Sequence, residues 1–227
     1  AATGDVAALS INSSSGVVTL ASGNLDYETK SSYSFTVIAT DATGNAREQA
    51  VTITVTNVNE SPTVTSSSSA TFAENATGTV YTVTGTDPDA GTTLSYSISG
   101  TDASLFDINS STGVITFKAS PNYESPSDSG GNNVYDITVT ASDGSLTNSK
   151  AVTITVTNVD DIAPAFTSAT TGTAAENQNQ LYTAAANDSV DYTNGTVTYS
   201  LKAATGDVAA LSINSSSGVV TLASGNL

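Results

Sequence analysis

Residues 1–25, AATGDVAALSINSSSGVVTLASGNL, recur without a single change at 203–227, and this duplication constrains the fold more than any other feature of the chain. Chance does not produce identity over such a length, so the sequence reads as a repeat array. A diverged copy lies between the two: Leu105-Phe106-Asp107-Ile108-Asn109-Ser110-Ser111-Thr112-Gly113-Val114-Ile115-Thr116-Phe117 follows Leu9 to Leu20 in kind. This phasing divides the chain into 1–59, the C-terminal part of a repeat, 60–160, a complete repeat, and 161–227, the N-terminal part of a repeat.

Within the middle repeat, apolar side chains alternate with period two, as on strands with one buried face. Leu94, Tyr96 and Ile98 do so, as do Tyr135, Ile137, Val139 and Ala141, while Asp89-Ala90-Gly91 and Gly130-Gly131 mark turns. The pattern predicts seven strands, at about 63–73, 79–85, 93–99, 104–108, 113–118, 133–142 and 148–157. Seven short strands in a domain of this size imply an all-β architecture, a tandem of Greek-key, immunoglobulin-like β-sandwiches. By the same reading the first piece holds the last four strands and the last piece the first five. Each then exposes part of its core, and the ends either fray or pair head to tail between copies through open strand edges.

Five Lys and Arg stand against 21 Asp and Glu, with no His, for a net charge of −16. Such a surface repels nucleic acid and anionic membranes and attracts cations. Apolar residues make up 38% and charged residues only 11%, so the chain is expected to fold despite its acidity. There is no Cys, which excludes disulfides and thiol chemistry, and no apolar run near the length of a membrane span. Because the sequence begins within a repeat, targeting signals are expected outside it. Matches to the glycosylation signal, such as Asn75-Ala76-Thr77, read as chance in a chain rich in Asn, Ser and Thr. The scarcity of Lys and the absence of His and Met point to a bacterial or marine source on composition. Catalysis would fall to carboxylate pairs, and the longest loop, about 119–132, is too short to build a cleft between them, so the chain reads as not an enzyme.

The acids gather at the repeat junctions. After Val152, Ile154 and Val156, the stretch Thr157-Asn158-Val159-Asp160-Asp161-Ile162-Ala163-Pro164-Ala165-Phe166 combines two carboxylates, an amide and a proline that cannot continue a ladder. A weaker copy, Thr56-Asn57-Val58-Asn59-Glu60-Ser61-Pro62, follows Val51, Ile53 and Val55. Both are collections of oxygen donors of the kind a hard cation such as Ca²⁺ takes six to eight at a time.

Taken together, these motifs resemble the cadherin repeat over the whole chain. Its linker, Asp-x-Asn-Asp-Asn then Ala-Pro-x-Phe, is approximated by Asn158 to Phe166; its early Glu-Asn by Glu74-Asn75 and Glu176-Asn177; its Asp-x-Asp by Asp87-Pro88-Asp89. The Leu-Asp-Arg-Glu type of turn is similar to Leu25-Asp26-Tyr27-Glu28 and Pro121-Asn122-Tyr123-Glu124. The Ala-x-Asp-x-Gly motif is similar to Ala141-Ser142-Asp143-Gly144 and, with one more residue, to Ala39-Thr40-Asp41-Ala42-Thr43-Gly44. The resemblance implies Ca²⁺ between successive repeats. Near residue 60 it implies Asp26, Glu28, Asn57, Asn59, Glu60, Asp87, Asp89 and Asp143 as ligands. Near 161 it implies Glu74, Glu124, Asn158, Asp160, Asp161 and one of Asp188 and Asp191. Asn57, Asn122 and Asn158 stand where the family has an acid, and Asp188-Ser189-Val190-Asp191 replaces Asp-x-Asp, so the junction at 60 is expected to bind more fully.

These readings converge on a structural role: a calcium-stiffened, extracellular or cell-surface array in a large adhesin or filament, with calcium and other copies of itself, head to tail or homophilic, as partners. The alternative is an accessory polysaccharide-binding module, which exposed tyrosines or a bound ion would serve. Tyr96, Tyr135 and Tyr199 lie on apolar faces and read as core, whereas Tyr27 and Tyr123 read as packing beside the ions.

Overall fold

The computed structural model describes residues 4–188 and 196–223. A short 3-10 turn, Val6–Ala8, runs into β1 (Leu9–Ile11), which pairs antiparallel with β2 (Val18–Leu20), Leu9 opposite Leu20 and Ile11 opposite Val18. β3 (Ser32–Thr40) and β4 (Ala46–Thr54) form a long antiparallel hairpin. Its turn is fixed by Asp41, whose carboxylate accepts the backbone N–H groups of Thr43 and Asn45 and the Asn45 side-chain amide. These donors, the Asn45 amide foremost, hold the Asp41 carboxyl far below its ordinary range. The β1–β2 and β3–β4 pairs each stand as two-stranded sheets.

The middle stretch carries β5 (Thr63–Val64), β6 (Ser69–Ala73), β7 (Thr79–Thr82), β8 (Gly85–Thr86), β9 (Ser95–Ser99), β10 (Phe106–Ile108), β11 (Val114–Phe117), β12 (Val134–Ser142) and β13 (Thr147–Thr157). One sheet has the order β6-β13-β12-β9 and the other β10-β11-β7, with β5 and β8 paired beside them. All pairings are antiparallel except β13 with β6. The first two predicted strands are each broken in two, β5/β6 and β7/β8, so that each contributes to two sheets.

The core sits between these sheets and is drawn from the alternating positions: Ile115, Val139, Ala141 and Ile154 have no exposed surface, and Tyr135, Val152 and Val156 have almost none. Each such Val or Ile side chain stabilises the fold by about 1.5–3 kcal/mol relative to exposure. The ring of Tyr135 meets Phe117 edge-on at 5.0 Å, and Phe117 lies 4.4 Å from Phe106. Tyr96 packs against this cluster, so the tyrosines on alternating runs serve as core.

The last stretch forms β14 (Ala165–Phe166), β15 (Gln180–Thr183), β16 (Ala186–Asn187), β17 (Leu211–Ile213) and β18 (Val219–Leu222), in sheets β14-β16 and β15-β18-β17. These are five strands but not the five expected, because β15 and β16 are the two halves of one expected strand and the counterpart of β9 is missing among the described residues. Val197–Leu201 keeps the alternation of β9 and residues 171–175 occupy the place of β6, yet neither is a strand. The reason is pairing: β9 and β6 are held by β12 and β13, and residues 161–223 offer no counterpart of either among the described residues.

Candidate metal centre

The turn after β2 begins with Asp26, whose carboxylate oxygens each accept from Thr29, one from its N–H and one from its hydroxyl, both at 2.9 Å. These bonds hold the Asp26 carboxyl below its ordinary range and aim Glu28 beside it. From the stretch after β4 comes Glu60, whose N–H donates to Asp89 Oδ2 at 3.0 Å. Asp89 is itself set by its N–H donating to Asp87 Oδ1 at 2.9 Å, a local turn across Pro88. Carboxylate oxygens of Glu28, Glu60 and Asp89 consequently lie within 4.8 Å of one another, although they come from three separate stretches.

Two amides tie this cluster to the connecting residues. Asn57 Nδ2 donates to Asp89 Oδ1 at 2.6 Å, and Asn59 Nδ2 to Asp143 Oδ2 at 2.7 Å. Asp143 also accepts the N–H groups of Ser145 and Leu146, and these donors, Leu146 first and then Asn59, keep its carboxyl low. Glu60 is the opposite case. Burial first, then the charges of Glu28, Asp89, Asp26 and Asp87, push its carboxyl up. Eight sequence-derived candidates, Asp26, Glu28, Asn57, Asn59, Glu60, Asp87, Asp89 and Asp143, are thus joined by contact or by field.

The second group is built around Glu74, only 2% exposed at the end of β6. Its oxygens accept the N–H of Tyr123 and the N–H of Val159, both at 2.7 Å, clamping the 121–124 turn to the stretch that follows β13. Glu124 lies close by; burial first, then the charges of Glu74 and Asp161, push its carboxyl up. Asn75 Nδ2 donates to Asp161 Oδ2. Asn158 and Asp160 are exposed on the connecting stretch, and Asp188 is partly buried at the end of β16. Asp191 lies outside the described residues. Among the described residues, the only trio of acids within ligating distance is that of Glu28, Glu60 and Asp89.

The donor set suits a hard cation. Glu60 Oε2, Asp87 Oδ2 and both oxygens of Glu124 are shielded from water and accept no hydrogen bond, a costly state for carboxylates that an oxygen-bound cation would relieve. Two other buried acids are of a different kind. Asp102 accepts the N–H groups of Ser129 and Asp136, and Asp128 those of Asn132 and Asn133, so backbone donors already satisfy them. The sequence reading singled out neither, nor the contact of Asn75, which has a positive φ of 58°, to Asp161. Tyr27 and Tyr123 flank the two groups but remain 40% and 37% exposed.

The cadherin domain family model matches residues 3–56 and again 68–157. The chain belongs to the cadherin family. It is 34% identical over 211 residues, 88% of its length, to mouse protocadherin Fat 4, and 34% identical over 168 residues to the fruit-fly protocadherin-like wing polarity protein stan. It spans about 4% of the length of each of these relatives. Among solved structures, mouse cadherin-23 EC22-24 superposes with a TM-score of 0.58 at 28% identity, covering 94% of this chain and 71% of that one. A protocadherin gammaB7 EC3-6 structure gives 0.64 at 23% identity, covering 95% and 56%. This cadherin chain is therefore an all-β, extracellular repeat segment of a family of non-enzymatic adhesion modules whose domains generally bind Ca²⁺. None of its described helices is long and apolar enough to cross a membrane.

Proposed function

We propose that this cadherin segment is a calcium-stiffened connector in a larger adhesive protein, with Ca²⁺ held where the acids of neighbouring repeats meet. The boundaries 1–59, 60–160 and 161–227 belong to the same proposal. The observation that carries it is the approach of Glu28, Glu60 and Asp89 within 4.8 Å, with the Glu60 carboxyl raised by burial first and then by four surrounding acids. Like charges so arranged repel when no cation is present. Glu28, Glu60, Asp87 and Asp89 would hold the ion near residue 60, with Asp26, Asn57, Asn59 and Asp143 orienting the turns that carry them. Near 161, Glu124, Glu74 and Asp161 would serve, with Asn158, Asp160 and one of Asp188 and Asp191 completing the set. A bound divalent charge would supply a bridge between stretches that otherwise push apart. Binding only to the ordered junction stabilises it by about 2.7 kcal/mol at a hundredfold excess over Kd.

Head-to-tail assembly of copies is the second part of the reading; among the described residues, β1–β2 and β3–β4 are two-stranded sheets, which have strand edges that could pair. No observation favours the polysaccharide alternative. The test is a calcium titration followed by small-angle scattering. The expected result is saturable binding that lengthens the particle and narrows its distribution of shapes; no binding, or scattering indifferent to calcium, overturns the proposal.

A further inference from the structure

The turn that carries Glu124 is gripped from two sides by asparagines in an uncommon backbone state. Among the described residues of the middle repeat, Asn75 and Asn133 are the two non-glycine residues with a positive φ, 58° and 62°. Asn75 N–H donates to Pro121 O at 3.0 Å, and Asn133 Nδ2 donates to Tyr123 O at 2.9 Å. Tyr123 N–H is taken by Glu74 Oε2, so three backbone groups of the turn are tied down just before Glu124. Asn133 also closes a ring of contacts. Its own carbonyl accepts Val156 N–H at 2.9 Å near the end of β13, and three residues on Val159 N–H donates to Glu74 Oε1. The ring Glu74–Tyr123–Asn133–Val156–Val159 thus joins the end of β6, the 121–124 turn, the start of β12 and the end of β13, with Asp161 on the stretch that leaves it. Asp128 sets Asn133 in place, its Oδ1 accepting Asn133 N–H at 2.9 Å and its Oδ2 accepting Asn132 N–H at 3.0 Å.

Stability alone does not account for Asn133. The residue is buried, yet its Oδ1 is shielded from water and accepts no hydrogen bond, which costs about 1–3 kcal/mol. The left-handed backbone adds about 1–2 kcal/mol for a residue with a Cβ. Glycine at this position would remove both costs. Unfavourable features held in place by their surroundings gather where a protein positions a functional group. Here that group is Glu124, whose two oxygens accept no hydrogen bond, so its place beside Glu74 and Asp161 is set by the turn beneath it.

We infer that Asn133 is a positioning residue for cation binding by Glu74, Glu124 and Asp161, acting through the Tyr123 carbonyl to fix the Glu124 turn against the end of β13. The inference rests on the calcium part of the proposed function and deepens it. Residues that orient metal ligands set affinity strongly, and their loss typically weakens binding about 10- to 100-fold.

The test is a calcium titration of the full chain followed by amide NMR, in which Glu124 and Asp161 report one group of acids and Glu60 and Asp89 the other. Asn133→Gly keeps the positive φ and the backbone hydrogen bonds and deletes only the side-chain amide. It should weaken calcium binding about tenfold at the Glu124 group, leave the Glu60 group unchanged, and leave hydrogen exchange of β12 and β13 in chelator unchanged. Asn132→Gly loosens the same loop but spares the contact to Tyr123, and should bind as the wild type does. In the wild type itself, the Asn133 side-chain amide should shift over the same calcium range as the Glu124 backbone amide. The inference is overturned if Asn133→Gly weakens both groups equally or neither, if Asn132→Gly has the same effect, or if the wild-type Asn133 amide ignores calcium while Glu124 responds. A wild type with no calcium response at Glu124 overturns the calcium reading and this inference with it, so the two failures are told apart.

Discussion

The backbone N–H of Glu60 donates to Asp89 Oδ2 at 3.0 Å, and the same turn brings carboxylate oxygens of Glu60 and Asp89 to within 4.8 Å of each other. One hydrogen bond thus fixes two like charges side by side, with Glu28 as the third. Folding without a cation has to hold this repulsion, and its relief is available only to a ligand of opposite charge.

Glu60→Gln should therefore act in opposite directions with and without metal. Since the folded state raises the Glu60 carboxyl, its contribution to stability is fully present below the unfolded glutamate value, about 4.3, and is lost as pH rises through the raised value. In chelator the Gln variant should gain on the wild type as pH climbs from about 4 to 7. Asp26 and Asp143, held low by Thr29 and Leu146, lose their contributions as pH falls, but equally in both proteins, so they cancel in the difference. In calcium the variant should bind about tenfold more weakly, having one ligand charge fewer. Thermal melts across pH, with and without chelator, read both effects; a difference between the proteins that does not vary with pH sinks the prediction.

Asp87→Ala together with Asp89→Ala should lower the melting temperature in calcium and change it little in chelator. Asp89 accepts from Asn57 and from the Glu60 N–H, so some loss persists without metal, but relief of repulsion opposes it. Equal losses in both conditions would assign the pair a packing role.

Much of this was legible in the residues. Alternation located β9, β12 and β13 to within two residues, because each has one face against the core and a period-two pattern reports that face directly. The ordered motifs named Glu60, Asp87 and Asp89, which the structure brings together. Pairing dependence was not legible. Val197–Leu201 has the pattern of β9 but pairs with no strand among the described residues, and no local property of those residues signals that. Nor does composition distinguish Asp102, saturated by backbone donors, from Glu60, which is not.

Glu74 and Glu124 should separate in the same way. Glu74 is buried and accepts two backbone N–H groups, so Glu74→Ala strands both donors and should cost about 1–3 kcal/mol whether or not calcium is present. Glu124 accepts no hydrogen bond on either oxygen, so Glu124→Gln should be tolerated in chelator and should weaken calcium binding. Urea denaturation in the two conditions checks the contrast; a Glu74→Ala loss that appears only in calcium would make Glu74 chiefly a ligand.

Gly16 and Gly218 occupy the same place in the two copies of the duplication and adopt nearly the same backbone, φ +69° and +67°. Their surroundings differ. A Cβ on Gly218 would stand 2.2 Å from Ala184 O, whose chain runs on from β15, whereas a Cβ on Gly16 meets nothing within 4 Å. Gly16→Ala then costs only the left-handed backbone penalty, about 1–2 kcal/mol. Gly218→Ala costs that and also displaces the Ala184 backbone, breaking the bonds Ala184 N–H makes to Gly218 O and those of β15 with β18. Hydrogen exchange should show the β17 and β18 amides losing most of their protection in Gly218→Ala, with only a modest loss at β1 and β2 in Gly16→Ala. Equal losses at the two sites would mean that the first copy is also covered by a strand equivalent to β15 in solution, and that the head of the chain is already paired.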